Sequence, residues 1–318
     1  MAEAAVQATA PTKKYSFMAD LLVRLVREKP LGTVGLAIFI VLLVAGVFAN
    51  FLAPYGENES VGANLSAPSA QHWLGTDNLG RDMLSRVIYG ARISMIVGLA
   101  GASLSLTLSI LIGMSAGFLG GQYDMAVQRI VDAWMCFPSL IILIAIMSLT
   151  GPGLWQVIVV LSLNYGISGS RVVRSAVMGV RQNVYVDAAK AVGASTPKTL
   201  IRHILPNIMA PLIILFTVRM PFIILDEASL SFLGFGIPPP TPSWGGMLSG
   251  AGRSYMFLAP WLAIWPGLAL TVVVYGINMF GDALRDLLDP RLRGGLGRYS
   301  GTKISRRLQK KIRAMSAQ

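Results

Sequence analysis

The sequence predicts an all-α polytopic membrane protein with six transmembrane helices. Of its 318 residues, 54% are hydrophobic and only 13% are charged, about half the charged share of a soluble domain. Six apolar runs are each long enough to cross a bilayer core, which takes roughly 20 residues of helix. The 27 Lys and Arg outnumber the 15 Asp and Glu, giving a net charge of +12. Those cations cluster between and beyond the apolar runs. Such clusters mark cytoplasmic segments of a membrane protein before they mark a nucleic-acid partner, and none is expected.

Residues 1–30 read as a cytoplasmic tail. Their first part, MAEAAVQATAPTKK, has no apolar core and is neither a cleavable signal peptide nor a span. Residues 31–52 form the first span, between the basic stretch RLVREK and Ala53-Pro54-Tyr55. Residues 53–91 follow as an extracytoplasmic loop. Residues 92–282 form a core of five further spans. The first of these covers about residues 93–119 and stops at Gly120-Gly121. The next covers residues 130–149, with a kink expected at Pro138, and ends at the turn signal Thr150-Gly151-Pro152-Gly153. The last three lie at residues 154–173, 208–225 and 261–280. Residues 283–318 form a basic cytoplasmic tail.

Orientation follows from the cations. Lys13, Lys14, Arg24, Arg27 and Lys29 precede the first span. Arg171, Arg174, Arg181, Lys190, Lys198 and Arg202 lie around the segment between spans four and five, and nine more run from Arg291 to Arg313. Six spans put all three groups, and both termini, on the cytoplasmic side, where the basic tail can also meet anionic membrane lipid. In span two, Gly98, Gly101, Ser103, Ser105, Ser109, Gly113, Ser115 and Gly117 read as close helix packing, with a polar path as the alternative. The single cysteine, Cys136, excludes an intrachain disulfide and is expected to pack in an apolar run.

Signals for covalent chemistry are missing. The chain contains no G-x-x-x-x-G-K-[ST], G-x-S-x-G or H-E-x-x-H pattern. Its two histidines, His72 and His203, fall on opposite sides of the predicted membrane, so no catalytic residue, metal site or cofactor is expected. Asp132, Asp226, Glu227 and Asp282 lie near span ends. For Asp226 and Glu227, helix capping or ion pairing is the expected role, with a proton route as the alternative. Uphill transport by such a chain would need energy from elsewhere.

One polar insert stands out, VDAAKAVGASTPKTLIRHILPN at residues 186–207, within a loop of residues 174–207. Asp187 suits the start of a short helix, at the positive end of its dipole. Ala188 and Ala189 favour helix and present little side chain. Gly193 can take the positive φ that redirects the chain. Thr196 suits an N-cap and Pro197 the first helical turn. Leu200, Ile201, Ile204 and Leu205 form an apolar stripe, and Pro206 marks entry into span five. Such a segment fits the groove of another protein or covers the ends of its own helices; the residues alone leave both open.

The spacing resembles the "EAA" loop of permease subunits of bacterial ABC importers: E-A-A, three residues, glycine, nine residues, then I-x-L-P. Asp187-Ala188-Ala189, Gly193, Leu205 and Pro206 fit it, with Asp187 in place of Glu and His203 in place of Ile. RHILPN looks like the form used in the peptide and nickel branch. Three other blocks are similar to that branch: HWLGTDNLGRDMLSRVIYGARISMIVGL, LDEASLSFLGFGIPPPTPSWGGML and FGDALRDLLDPRLR. Together they resemble, from about residue 27 to 293, the C-type subunit of a dipeptide/oligopeptide/nickel importer.

The resemblance implies a type I importer permease fold in a bacterial inner membrane. It also implies pairing with a homologous permease as a heterodimer, and two ATPase subunits that bind the ATP and Mg. One ATPase would grip the helix around Asp187, Ala188, Ala189, Gly193 and Ala194, with His203, Leu205 and Pro206 closing the loop. A binding protein would dock near the external loops of Asp77, Arg81, Asp82 and Trp244. The cargo would be a peptide or related small solute. Read physically, Asp77 can cap a helix and Asp82 can pair with Arg86 at i,i+4. Pro238, Pro239, Pro240 and Pro242 stiffen the segment that holds Trp244 at the outer mouth. Arg285 and Asp286 are expected to pair with each other or with the coupling loop, with a solvated pair as the alternative. An ion-coupled secondary transporter is the alternative function, and a membrane enzyme is disfavoured.

Overall fold

A computed structural model describes residues 17–288, so the expectations for residues 1–16 and 289–318, including Lys13, Lys14 and the cations from Arg291 onward, lie outside the described residues. Regular structure among the described residues is helical, apart from isolated bridges between Ser60 and Arg81 and between Thr76 and Asp82.

The first element is one that the expected tail omits: α1, Phe17–Glu28. At 12 residues it is too short to cross a bilayer, yet Leu21 and Leu25 share a face that packs on the bundle. Leu25 is buried there against Ala283 and Leu287 at the end of the last helix. Next, α2 (Pro30–Val47) starts with proline at its first position, where the missing N–H costs nothing, and α3 (Ala49–Leu52) extends it. Gly35 packs so closely on α13 (Trp261–Leu288) that a Cβ would collide with the Gly276 carbonyl.

The 37 residues of α4 (Met83–Leu119) reach about 55 Å at 1.5 Å per residue, so this helix projects beyond the hydrocarbon. It starts ten residues before the expected span, at Met83 rather than residue 93. Its main partner is α7 (Leu154–Arg181). Gly98, Gly101, Ser105, Ser109, Gly113 and Gly117 are buried. Ser109 Oγ donates to the Gly166 carbonyl at 2.8 Å, and a Cβ on Gly113 would strike the Ser170 carbonyl. Close packing is therefore the role of these six small residues. Ser103 is exposed and Ser115 half-buried, so those two do not share it.

Gly120 and Gly121, at φ +69° and +57°, turn the chain into α5 (Gly121–Met135). The expected kink at Pro138 is a complete break: α6 (Ser139–Thr150) leaves α5 at 88°. Proline fixes its own φ and offers no donor to the ladder. Ion pairs of Asp124 with Arg174 and of Asp132 with Arg171 tie α5 to α7. Cys136, expected to pack, is exposed at this break. Five helices are long and apolar enough to cross a membrane, and the bent pair α5–α6 gives the sixth when counted as one broken crossing.

After α7 come α8 (Val184–Ala191), α9 (Thr196–Thr199) and α10 (Met209–Phe232). The α10 helix runs past the expected end at residue 225, where Asp226 is met by Tyr165 of α7 and Glu227 by Ser231 of the same helix. Short helices α11 (Trp244–Met247) and α12 (Arg253–Tyr255) precede α13. The alternating chain direction gathers α1, the insert and the end of α13 at one end of the bundle. Residues 53–82 and 233–260 lie at the other, where Trp261 Nε1 donates to the Thr76 carbonyl at 3.1 Å. Asp286 pairs with Lys29, not with Arg285 or the insert. This ion pair closes the N-terminal segment onto the last helix.

Candidate functional site

The insert is a small rigid hook at the end of α7. Its α8 helix starts at Val184, three residues before Asp187, which lies in the first turn. Val186 is fully buried, packed in a cluster with Val177, Ile204 and Ile208. This buried side chain anchors α8 to the bundle, with Lys190 Nζ 5.5 Å from the centre of the Phe118 ring on α4 as a second contact. Asp187, Ala188 and Lys190 are exposed, Ala189 is half-buried, and Val192 is 89% exposed. Lys190 Nζ approaches Asp187 Oδ1 at 3.2 Å, an exposed pair worth under about 1 kcal/mol.

Gly193 turns the chain at φ +82°, and a Cβ there would meet nothing within 4 Å. The demand at this position comes from the backbone rather than from packing. The residue at the start of α9 is Ser195, one before the expected Thr196. Its carbonyl accepts from Thr199 N at 2.9 Å and from Thr199 Oγ1 at 3.1 Å, and Pro197 falls within the first turn. Pro206 does not interrupt the entry into the membrane. A π turn (Leu200–Ile204) and a 3-10 turn (Leu205–Ile208) carry the helix past it into α10, using the looser and tighter windings that free a donor-less residue from the i→i−4 ladder. Ile204 is fully buried, and Leu200 and Leu205 pack against the same cluster. Ile201 is 66% exposed, so it leaves the expected stripe. Ala188, Ala189, Gly193, Ala194 and His203 line a groove of about 470 Å³ with Lys198 and Arg202 on its rim. The site thus presents a small-residue surface with a basic edge; of the insert residues predicted from sequence, Ala188, Ala189, Gly193, Ala194 and His203 come together on it, whereas Asp187, Leu205 and Pro206 do not line it.

At the other end, the two loop aspartates exchange their expected roles. Asp82 is the cap: its Oδ2 accepts from Ser85 N and Ser85 Oγ, each at 2.8 Å, at the start of α4. Asp77 takes the arginine instead, accepting from Arg81 Nε at 2.7 Å and from the Leu79 and Arg81 backbone. Arg86 lies 3.7 Å from Asp77 and donates to the Glu57 carbonyl at 2.8 Å. His72 Nδ1 contacts Asp82 Oδ1 at 3.1 Å, a partnership that the L-G-T-D spacing conceals. Asp77, Asp82 and Trp244 are all buried. Trp244 Nε1 donates to the Val87 carbonyl at 3.0 Å, and its ring rests where a Cβ on Gly90 would be. These three residues shape the outer loops from within. Arg81, half-buried, stays nearer the surface.

Inside the bundle, Asp226 and Glu227 neither cap a helix nor form an ion pair. Tyr165 donates its hydroxyl to Asp226 Oδ2 at 2.8 Å. Glu227 Oε1 accepts from Ser231 Oγ at 2.7 Å, while its Oε2 has no partner. Neither Tyr165 nor Arg219 is singled out by sequence pattern. The available signal was that Arg219 is the one cation in the apolar run of residues 208–225.

A bundle with ordered loops at one end and a small-surfaced hook at the other defines a permease-type subunit of a membrane transporter. Residues 109–294 match the family described as binding-protein-dependent transport system inner membrane component. Residues 16–72 match the N-terminal transmembrane domain of oligopeptide transport permease C. Among relatives, a putative peptide transport system permease protein of Brucella suis is 41% identical, covering 85% of this chain and 90% of its own length. The dipeptide transport system permease protein DppC of Alkalihalophilus pseudofirmus is 39% identical, covering 84% and 88%. The glutathione transport system permease protein GsiD of Escherichia coli is 38% identical, covering 81% and 86%. A chain of the MetNI methionine ABC transporter shares the fold, with TM-score 0.50 at 15% identity over 65% of this chain and 98% of its own. The chain belongs to the binding-protein-dependent transport inner-membrane component family: it is a multi-pass permease subunit of an ABC importer, not an enzyme.

Proposed function

We propose that this chain carries peptides or a related small solute across the cytoplasmic membrane, using ATP hydrolysed by separate subunits. The observation that carries the reading is the hook. A short helix with an exposed small-residue face, pinned by Val186 and turned by Gly193, has the form of a helix-in-groove contact. Relatives named for peptide, dipeptide and glutathione transport support the cargo class.

In this reading a homologous permease completes the path as a heterodimer. Two ATPase subunits hold the ATP and Mg, and one of them seats α8. An extracytoplasmic binding protein delivers cargo to the end formed by residues 53–82 and 233–260. This chain binds no cofactor. The hook and both termini are cytoplasmic in this reading, which the cation distribution supports. Closure of the ATPases moves α8, and the bundle shifts between two populations with opposite access.

The test is uptake of labelled peptide into vesicles holding the complete complex. ATP inside a complex with all its subunits is expected to drive accumulation, and removal of the ATPases to abolish it. Accumulation by this chain alone under a proton or sodium gradient would overturn the reading in favour of a secondary transporter.

A further inference from the structure

Halfway along two spans lies a charged cluster that neither the hook nor the outer loops use. Arg219 sits near the middle of α10, and its guanidinium lies 5.1 Å from the ring centre of Tyr165 on α7. Its Nη1 donates to the Tyr165 carbonyl at 2.9 Å and to Ser168 Oγ at 2.8 Å. Among the described residues no carboxylate pairs with it, and its Nε and Nη2 have no protein acceptor. Asp226, seven residues on, uses Oδ2 for the Tyr165 hydroxyl, and its Oδ1 has no protein donor among the described residues. All three side chains are half-buried, and Phe222 between the two charges is 47% exposed.

Charges at this depth are not tolerated against hydrocarbon; they face a bundle interior, a partner or water. The α10 face with Arg219 and Asp226 therefore does not face lipid. Seven residues are close to two helical turns, so the two residues lie on one face with their backbones about 10 Å apart along the axis. An extended chain advances up to 3.3–3.6 Å per residue, so the termini of a di- or tripeptide lie roughly 7–10 Å apart. Arg219 and Asp226, one at the Tyr165 ring and one at its hydroxyl, have the signs of that zwitterion's counter-ions and stand at a comparable spacing along the helix.

We propose that Arg219 and Asp226, positioned by Tyr165 between them, form a half-site on the translocation path for a short peptide with free termini. The carboxylate lies on the free guanidinium edge of Arg219 and the ammonium on Asp226. Because Arg219 is nearer the hook, the peptide enters with its carboxyl end leading toward that side. This half-site rests on the peptide-import reading above.

The experiment uses the complete complex with its binding protein in vesicles, and measures uptake and stimulated ATP hydrolysis together. The probes are a labelled tripeptide, its C-terminal amide and its N-acetyl form. Each variant is expressed relative to the unaltered complex with the same peptide. Arg219→Gln is expected to lower uptake of the free and acetylated peptides by about tenfold or more, the loss of one charge-assisted contact, while sparing the amide. Asp226→Asn mirrors this, sparing the acetylated form. Arg219→Lys retains most uptake, and ATP hydrolysis stays near normal in all three. A second measurement avoids blocked termini: a photoreactive group on the third residue labels α10 near 219, and one on the first labels it near 226. Equal loss for every peptide, or a reversed labelling pattern, would overturn the half-site and leave a structural pair with the neighbouring subunit. Uptake by the unaltered complex with terminus-independent variants sinks the half-site alone. No peptide uptake by the unaltered complex sinks the import reading and this ligand with it.

Discussion

Substituting Gly193 separates backbone demand from surface contact at the hook. The residue sits at φ +82° with open space where a side chain would go, so a larger residue meets strain and no collision within the chain. An L-residue in the left-handed region costs about 1–2 kcal/mol, and a β-branched one is less tolerated still. That range lowers the population of the native turn by a factor of about 5–30. Asn, which visits this region more readily than other non-glycine residues, carries a smaller penalty. The expected order of ATP-driven uptake is therefore Gly, then Asn, then Ala, then Val. Amide exchange across residues 184–199 should rise in the same order, while membrane insertion stays normal. The assay is uptake and ATP hydrolysis by the complete complex, beside hydrogen exchange of this segment. Full coupling by Gly193→Val at normal levels would refute the argument. Equal damage from Asn and Val would locate the constraint in the size of the docking surface instead of in φ.

Other perturbations test the packing that positions the two ends. Val186→Asp places a carboxylate among Val177, Ile204 and Ile208, an unpaired buried charge worth several kcal/mol. Limited proteolysis should then cut within residues 182–208, and unchanged resistance would exclude Val186 as the anchor. Trp244→Ala should cost about 3–5 kcal/mol from its cavity, besides the bond to Val87, and is read as a lowered Tm of the purified subunit; an unchanged Tm would contradict its burial. Asp82→Ala removes the α4 cap, about 0.5–2 kcal/mol, and the His72 contact, whereas Asp82→Asn should retain most of the stability. If the two variants prove equal, capping is not the function of Asp82. Gly113→Leu drives a side chain into α7 where no space exists, so folded subunit should be lost from the membrane; normal yield would mean that the α4–α7 contact is looser than described.

The spans were legible because hydrophobic run length is a local property, and their ends were not because helix ends depend on distant partners. The stretch MLSRVIYGAR is too polar to belong to a span, yet it is helical. Asp82 caps it, and Arg86 reaches back to the carbonyl of Glu57. The same applies at the far end of α10, where Asp226 is met by Tyr165, 61 positions earlier in the chain. Pro138 announced a bend but not its size: the 88° break lies beside a helix that two long-range ion pairs tie to α7, partners that no local pattern names. Asp77 and Asp82 could each cap or pair by spacing alone. Only the position of Arg81, folded back onto Asp77, assigns the roles.

The hook and the intramembrane charges differ in the same way. At the hook, glycine, alanine pair and proline act within 20 residues, and turn chemistry needs little else, so the spacing alone located the segment. Even there one member of the expected stripe was misjudged: across the π turn Ile204 is buried while Ile201 is 66% exposed. The Arg219 cluster has no local signature at all. A hydropathy window averages one cation into an apolar run, and the aromatic ring that accepts it belongs to another helix. What the cluster shares with the hook is a helix. From Thr196 to Phe232 the winding is continuous, so in the proposed reading a displacement of the hook would pass through the turns at Leu200–Ile204 and Leu205–Ile208 into the span that carries both charges. A push at the hook and a change at Arg219 are two ends of one element.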